Sequence, residues 1–189
     1  GFESVAEGGD AVAIGGNRNS ADDGTAGARA TGPSTTAVGG QSIADGAGAT
    51  SFGWKANATA DRATALGHLA KAQGIRSVAI GEAADAQTDN STAIGNIAVA
   101  NGIDALAIGD DASAMGNSTT AIGGESIAST PGATALGWQA EASGAMGTAI
   151  GHQTTASGDQ SFAGAEDAVA SGSNSIAIGN AALASGGDA

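Results

Sequence analysis

Small and aliphatic residues recur along the chain with a fixed period of 14 residues. The tripeptide Ala-aliphatic-Gly marks each repeat and keeps its spacing without drift from Gly39 to Gly151. Its copies occupy 37–39, 51–53 (Ser-Phe-Gly), 65–67, 79–81, 93–95, 107–109, 121–123, 135–137, 149–151 and 177–179. The row at 161–165, Ser-Phe-Ala-Gly-Ala, keeps this register but changes its apolar residue and its glycine. A constant period of this kind predicts a stack of equivalent coils.

We number each row from 1 to 14, so that Ser91, for example, is position 1. Position 3 is Ala in nearly every row, position 4 is aliphatic and position 5 is Gly, while positions 8 and 10 are small and position 12 is most often Gly. From Thr35 onward, every charged residue falls at positions 6, 7, 9, 11, 13 or 14. This segregation indicates that one geometry repeats from row to row.

The pattern within a row favours two strands over a helix. Positions 2 and 4, and again 8 and 10, alternate with period 2, and glycines at 5 and 12 supply the backbone freedom that two turns need. One row therefore predicts a flattened coil of two strands of about five residues each, joined by tight turns. The predicted fold is all-β, a parallel β-roll (solenoid) of 14-residue two-strand coils.

The predicted organisation is a single β-roll over residues 1–189. Regular repeats occupy 35–189, and an irregular row lies within 17–34, because the motifs at 13–15 and 37–39 are 24 residues apart. We expect an expanded surface turn around Asp22, Asp23 and Gly24, followed by a shortened row over 25–30.

So many small residues leave little bulk for a core, which predicts that the roll needs a partner chain. If positions 2 and 4 point into the roll, strand parity sends the alanine of position 3 outward, where an adjacent subunit would exclude larger side chains. In the opposite parity, the aliphatic residues of position 4 face the partner. Both arrangements leave an apolar stripe, which favours an obligate oligomer of parallel chains in register.

Charge limits the partners that the surface can take. Nineteen acidic residues against six basic ones give a formal charge of −13, which argues against nucleic acid and against direct contact with an anionic membrane. All six Lys and Arg precede Ser77, and twelve acidic residues follow it. The acidic half is interpreted either as a solvated, repulsive surface or as a docking face for a cationic partner or divalent ions.

The residue inventory predicts no enzyme, no cofactor and no metal site. The chain has no Cys and no Tyr, and its two histidines, His68 and His152, both lie at position 6. They are six rows apart, about 30 Å along a stack of strands, which excludes a two-His metal site within one chain. We interpret both as exposed turn residues.

Two kinds of turn residue are candidates for binding. Trp54 and Trp138 share position 6 and are receptor-contact candidates because Trp is enriched in binding hot spots, although each could instead cover a neighbouring chain. The acidic pairs could attract Ca²⁺, but none lies in a recognised loop motif. These pairs are Asp22-Asp23, Asp110-Asp111 and Glu166-Asp167.

The repeat Ser-Val-Ala-Ile-Gly over Ser77–Gly81, followed by Ala-x-Ala and a turn glycine, is similar to the head repeats of trimeric autotransporter adhesins, the YadA-like (haemagglutinin/adhesin) family. The resemblance covers essentially the whole chain. It implies a left-handed roll, a parallel homotrimer, type V secretion, and a Gram-negative outer-membrane location with stalk and β-barrel anchor outside this sequence. It also implies a virulence-related cell-adhesion role, in which the head attaches to host cells or extracellular matrix.

Two other functions are kept as alternatives. The roll could be a non-adhesive spacer that projects another adhesive domain. It could also be an ice-binding solenoid, because Thr recurs at position 2 in seven rows: Thr36, Thr50, Thr64, Thr92, Thr120, Thr134 and Thr148. That ladder is interrupted by other residues and shares the parity of the aliphatic column, so we interpret it as semi-buried packing.

Overall fold

The computed structural model describes residues 1–17 and 27–187. The chain is an all-β parallel solenoid built from 14-residue two-strand coils, which confirms the predicted fold class. It divides into two compact units, residues 1–97 and 98–189. The expanded turn expected around Asp22, Asp23 and Gly24 lies outside the described residues.

In the unit of residues 1–97, strands of two residues and strands of three residues alternate along the chain. The two-residue strands are β1 (Val5–Ala6), β3 (Arg29–Ala30), β5 (Ile43–Ala44), β7 (Asn57–Ala58), β9 (Lys71–Ala72) and β11 (Asp85–Ala86). The three-residue strands are β2 (Val12–Ile14), β4 (Thr36–Val38), β6 (Thr50–Phe52), β8 (Thr64–Leu66), β10 (Val78–Ile80) and β12 (Thr92–Ile94). Each set forms its own parallel sheet, in chain order.

The unit of residues 98–189 repeats this arrangement. Its two-residue strands are β13 (Val99–Ala100), β15 (Ser113–Ala114), β17 (Ile127–Ala128), β19 (Glu141–Ala142), β21 (Thr155–Ala156), β23 (Val169–Ala170) and β25 (Leu183–Ala184). Its three-residue strands are β14 (Leu106–Ile108), β16 (Thr120–Ile122), β18 (Thr134–Leu136), β20 (Thr148–Ile150), β22 (Phe162–Gly164) and β24 (Ile176–Ile178). We call the two kinds of sheet the two-residue sheet and the three-residue sheet.

The strands are shorter than the predicted five residues because the corners of the coil take more of each row. Positions 7 and 14 are left-handed in every regular row wherever the structure describes them, and most are not glycine. Their φ angles lie between 53° and 61° in the non-glycine residues, including the aliphatic Leu69 and Ile97. Left-handed backbone is unfavourable for residues with a Cβ, so each corner stores conformational strain that the neighbouring rows must offset.

Strand register follows the sequence period. In the three-residue sheet Ala79 pairs with Ala93 and Ile80 with Ile94, so identical positions of successive rows lie side by side. The irregular segment ends in this register, because Arg29 pairs with Ile43 in the two-residue sheet and therefore occupies position 9. The second half of a regular row is thus complete before residue 35.

The core consists of small side chains at positions 1, 3, 8 and 10. Ala79, Ala84 and Ala86 are fully buried, as is Ser77 at position 1, and the same columns are buried in nearly every described row. The arrangement in which positions 2 and 4 fill the roll is therefore wrong: position 3 points inward, and positions 2 and 4 point outward. The facing backbones lie so close that only Ala, Ser and Thr fit between them, and larger residues are confined to the outer faces.

Glycine is favoured at position 5 and at position 12 for different reasons. Gly109, at position 5, has a φ of 141°, and a Cβ there would lie 2.4 Å from the carbonyl oxygen of Gly123. Gly102, at position 12, is not left-handed, but a Cβ there would lie 1.8 Å from the carbonyl oxygen of Gly116. At position 12, glycine is favoured because a side chain would meet the backbone of the next row. The predicted need for backbone freedom applies only at position 5.

Candidate functional site

The chemically diverse side chains lie at the corners of the coil and on the outer face of the two-residue sheet. Position 6 precedes the left-handed residue of one corner, and position 9 points outward from the two-residue sheet, where burial alternates with the inward alanine of position 10. These columns carry both tryptophans and both histidines. Within the described residues, no group of three or more His, Asp or Glu side chains could hold a metal ion.

In the first unit, position 6 forms a Trp–His–Glu stack across three successive rows. The rings of Trp54 and His68 stack with centroids 4.9 Å apart and an angle of 14° between their planes. His68 Nδ1 lies 3.5 Å from Glu82 Oε1, and both side chains are substantially exposed. The contact follows from the 14-residue period, which places position 6 of each row beside position 6 of the next.

The second unit contains the same stack, 84 residues later. The rings of Trp138 and His152 stack at 4.8 Å and 25°, and His152 Nδ1 lies 3.6 Å from Glu166 Oε1. A glycine precedes each tryptophan by one row and leaves room for the indole: a Cβ on Gly124 would lie 3.2 Å from Cδ1 of Trp138. Both histidines are exposed turn residues, as expected.

The recurrence extends along the whole position 6 column. From Gly40 and again from Gly124, successive rows carry Gly, Trp, His, Glu and Asn at this position. The two series are Gly40, Trp54, His68, Glu82 and Asn96, then Gly124, Trp138, His152, Glu166 and Asn180. The shared position of the two tryptophans, and that of the two histidines, was recognised from the sequence. The glutamate that completes each stack was missed.

The two stacks differ in the charges beside them. Lys55, at position 7, places its Nζ 4.6 Å from the ring centroid of Trp54, a cation–π distance. The corresponding residue in the second unit is Gln139, which donates a hydrogen bond from Nε2 to Glu125 Oε2 at 2.7 Å. The second unit has no Lys or Arg at all.

An open groove in the second unit lies between the columns of positions 7 and 9, and one of its lining residues, Gln139, follows Trp138 in sequence. Three rows line it, through Asp111, Ser113, Glu125, Ile127, Gln139, Ala140 and Glu141. The three carboxylates give it a negative charge, and the isoleucine side chain is 41% exposed within it. A groove this open, on an elongated surface, fits a side chain of a larger partner better than an enclosed small molecule.

The outer face of the three-residue sheet is apolar. Position 4 places a column of aliphatic side chains there, and Phe52, Leu136 and Ile150 are 56%, 41% and 38% exposed. The threonines of position 2 flank this column on the same face and are half-buried. The predicted shared parity of these two columns is confirmed, but they pack outside the roll. A face of this extent indicates an interaction surface.

The acidic pairs that lie in the described residues are corner pairs at positions 6 and 7. Asp110 and Asp111 are exposed, as are Glu166 and Asp167, and Glu166 accepts a hydrogen bond from Asn180 Nδ2 at 3.3 Å. The pair Asp22-Asp23 lies outside the described residues. The described chain, 1–17 and 27–187, contains no helix long and apolar enough to cross a membrane.

Comparison with known proteins identifies the family of the chain. The family model described as the YadA head domain repeat (2 copies) matches residues 1–17, 30–56, 44–70, 58–84, 72–97, 86–112, 100–126, 114–140, 142–163 and 168–189. A solved structure, the collagen-binding domain of the Yersinia adhesin YadA, is 22% identical, with a TM-score of 0.35 over 92% of this chain and 83% of that chain. No curated protein matches the chain. Because the repeat model spans most of the sequence, the chain belongs to the YadA head family, as a YadA-like head domain of a trimeric autotransporter adhesin.

Proposed function

We propose that this head attaches bacteria to host cells or extracellular matrix through the outer surface of a trimeric β-roll. The observation that carries the proposal is the run of YadA head repeats from residue 1 to residue 189. The solved YadA domain that it resembles is named as collagen-binding, which makes a matrix protein the first partner to test. The family is one of adhesins rather than enzymes, and we propose a binding function without catalysis.

The homotrimer is part of the proposal. The aliphatic column of position 4 and the threonine-rich column of position 2 are half-exposed in the single chain. Burying them against neighbouring copies would remove a stripe of largely apolar surface from water. Parallel chains in register would bring equal rows together, so that one repeated contact serves the whole face. The outer face of the two-residue sheet would then point away from the partners.

The corresponding location is the bacterial surface. The negative charge favours a soluble, projecting head over contact with an anionic membrane. The Trp54 and Trp138 corners are candidate receptor contacts, because they combine aromatic area with a polar rim.

Adhesion is tested with the purified trimer in a solid-phase binding assay on collagen, fibronectin and laminin, with albumin-coated wells as the control. We expect saturable binding to at least one of the matrix proteins. If no matrix protein is bound at micromolar concentration, the head is a spacer that projects another adhesive domain. Sedimentation velocity of the same preparation reports the trimer separately, and a monomer at all concentrations would contradict that part of the proposal.

A further inference from the structure

From the comparison of the two stacks, we infer that the surface around Trp138 binds a cationic Lys or Arg side chain of a protein partner. This Trp138 surface consists of Trp138, Gln139, Asp111, Glu125 and Glu141. The inference deepens the proposed adhesive function, on which it rests, because it names the chemistry of the partner and the place where it binds.

The first stack shows what such a surface accepts. Lys55 places its ammonium 4.6 Å from the ring centroid of Trp54, so a cation of the chain itself lies over this ring. At the same position of the second stack stands Gln139, whose side chain turns to Glu125 and, through Oε1, accepts a hydrogen bond from Gln153 Nε2 at 2.9 Å. Trp138 is 43% exposed. A cation from another molecule can therefore take the place that Lys55 takes in the first unit.

The residues around the two tryptophans differ in charge between the two units. Where the first unit has Gln41 and Asn57, at positions 7 and 9, the second has Glu125 and Glu141. The second unit contains no Lys or Arg that could neutralise them. The equivalent rows thus present a neutral-to-basic surface in one unit and an acidic one in the other, on the same backbone.

The acidic groove and the ring are linked through neighbouring residues. Gln139 follows Trp138 in sequence and lines the acidic groove together with Asp111, Glu125 and Glu141. A Lys or Arg side chain entering the groove would find carboxylate oxygens for its charged end and an indole for a cation–π contact. A bare metal ion fits less well, because no group of three ligating side chains occurs within residues 1–17 and 27–187.

The test uses octalysine as the probe and the Trp54→Phe variant as the background, since the chain has only two tryptophans and Trp138 is then the sole emitter. We expect a saturable change of tryptophan fluorescence, confirmed by calorimetry, that weakens as salt is raised from low to physiological ionic strength. Octaglutamate is the matched control and should produce no change. Absence of an octalysine signal by either method would overturn the inference.

Two substitutions of equal charge separate a local site from general attraction. Gln139→Lys recreates the first unit's arrangement and should weaken octalysine binding by at least about fivefold. Gln160→Lys adds the same charge at position 14, on the other corner of the coil, and should weaken it much less. Equal losses from both, or wild-type affinity in Trp138→Ala, would overturn the inference. Circular dichroism and thermal unfolding verify that each variant is folded.

Failure here and failure of adhesion are distinguishable. Loss of matrix binding with octalysine binding intact contradicts the proposed adhesive function and leaves the cation site standing. Matrix binding that persists while octalysine has no effect contradicts the cation site alone.

Discussion

Asp89 Oδ1 accepts a hydrogen bond from the backbone N–H of Ile75, 2.8 Å away in the preceding row. Both residues occupy position 13, so a side chain of one row pairs a backbone donor of its neighbour outside the strands. The same contact joins Asp61 to Ala47, Asn117 to Ile103 and Asp159 to Ala145. Acidic residues at this position therefore hold adjacent coils together.

Replacing Asp89 by Ala should lower the free energy of unfolding by about 1 kcal/mol, because the N–H of Ile75 loses its partner. Asp89→Asn keeps the acceptor oxygen and should restore most of that loss, since Asn117 already makes the equivalent bond. Urea unfolding measures both. Equal destabilisation by Ala and Asn would show that charge, and not the hydrogen bond, is responsible.

Two serines at position 1 should respond oppositely to truncation. Ser77 Oγ is buried without a hydrogen-bond partner among the described residues, whereas Ser175 Oγ donates to the carbonyl oxygen of Gly172 at 2.7 Å. Ser77→Ala should therefore be neutral or stabilising, and Ser175→Ala should cost about 1 kcal/mol. Melting temperatures of the two variants provide the comparison, and a loss of stability in Ser77→Ala would contradict the assignment.

In a regular row, glycine at position 5 should tolerate replacement by alanine poorly. Gly109→Ala combines an unfavourable φ with a Cβ placed against the next row's backbone, and should cost about 3 kcal/mol or more. Gly9→Ala is the control, because a Cβ there meets nothing within 4 Å. Denaturant unfolding should show a large shift for the first variant and little for the second.

The irregular row at 161–165 can be repaired. Ala165 occupies position 5 with a φ of 88°, where other rows have glycine. Ala165→Gly should relieve this strain and raise stability by about 1 kcal/mol, or the melting temperature by about 3 °C. A decrease in melting temperature would mean that the row has adapted to its alanine.

The two sheet faces should differ in their effect on assembly. Ile108→Glu places a charge on the apolar face of the three-residue sheet and should convert trimers to monomers in sedimentation velocity. Val99→Glu places the same charge on the outer face of the two-residue sheet, in the same unit, and should leave the trimer intact. If both variants assemble alike, the apolar face is not the subunit interface.

The period and the repeated coil were predictable from sequence because every row obeys the same spacing of Ala, aliphatic residue and Gly. The direction of the side chains was not, since Ile80 and Ala79 are both apolar and alternation alone does not say which faces inward. The deciding quantity is the distance between the two facing sheets, which admits Ala79 but not Ile80. Hydrophobicity alone favours Ile80 for the core, but the narrow space between the sheets accepts only the smaller Ala79.

The tryptophans were recognised as candidate contacts from their position, but their surroundings depend on neighbours in other rows. The cation–π contact of Lys55 joins adjacent residues, yet their adjacency in sequence does not say that the ammonium turns toward the ring. The acidic groove combines three rows, and no single row contains its pattern.

The left-handed residues at positions 7 and 14 bear on how the chain folds. A single coil would carry the strain of both corners with no adjacent row to form its interstrand hydrogen bonds, so the first coils to form should be the least favourable. Each later coil docks on an existing template and gains those bonds at once. The solenoid should therefore form by slow nucleation followed by rapid row-by-row growth, and short fragments of a few rows should fold far less readily than their share of the sequence suggests.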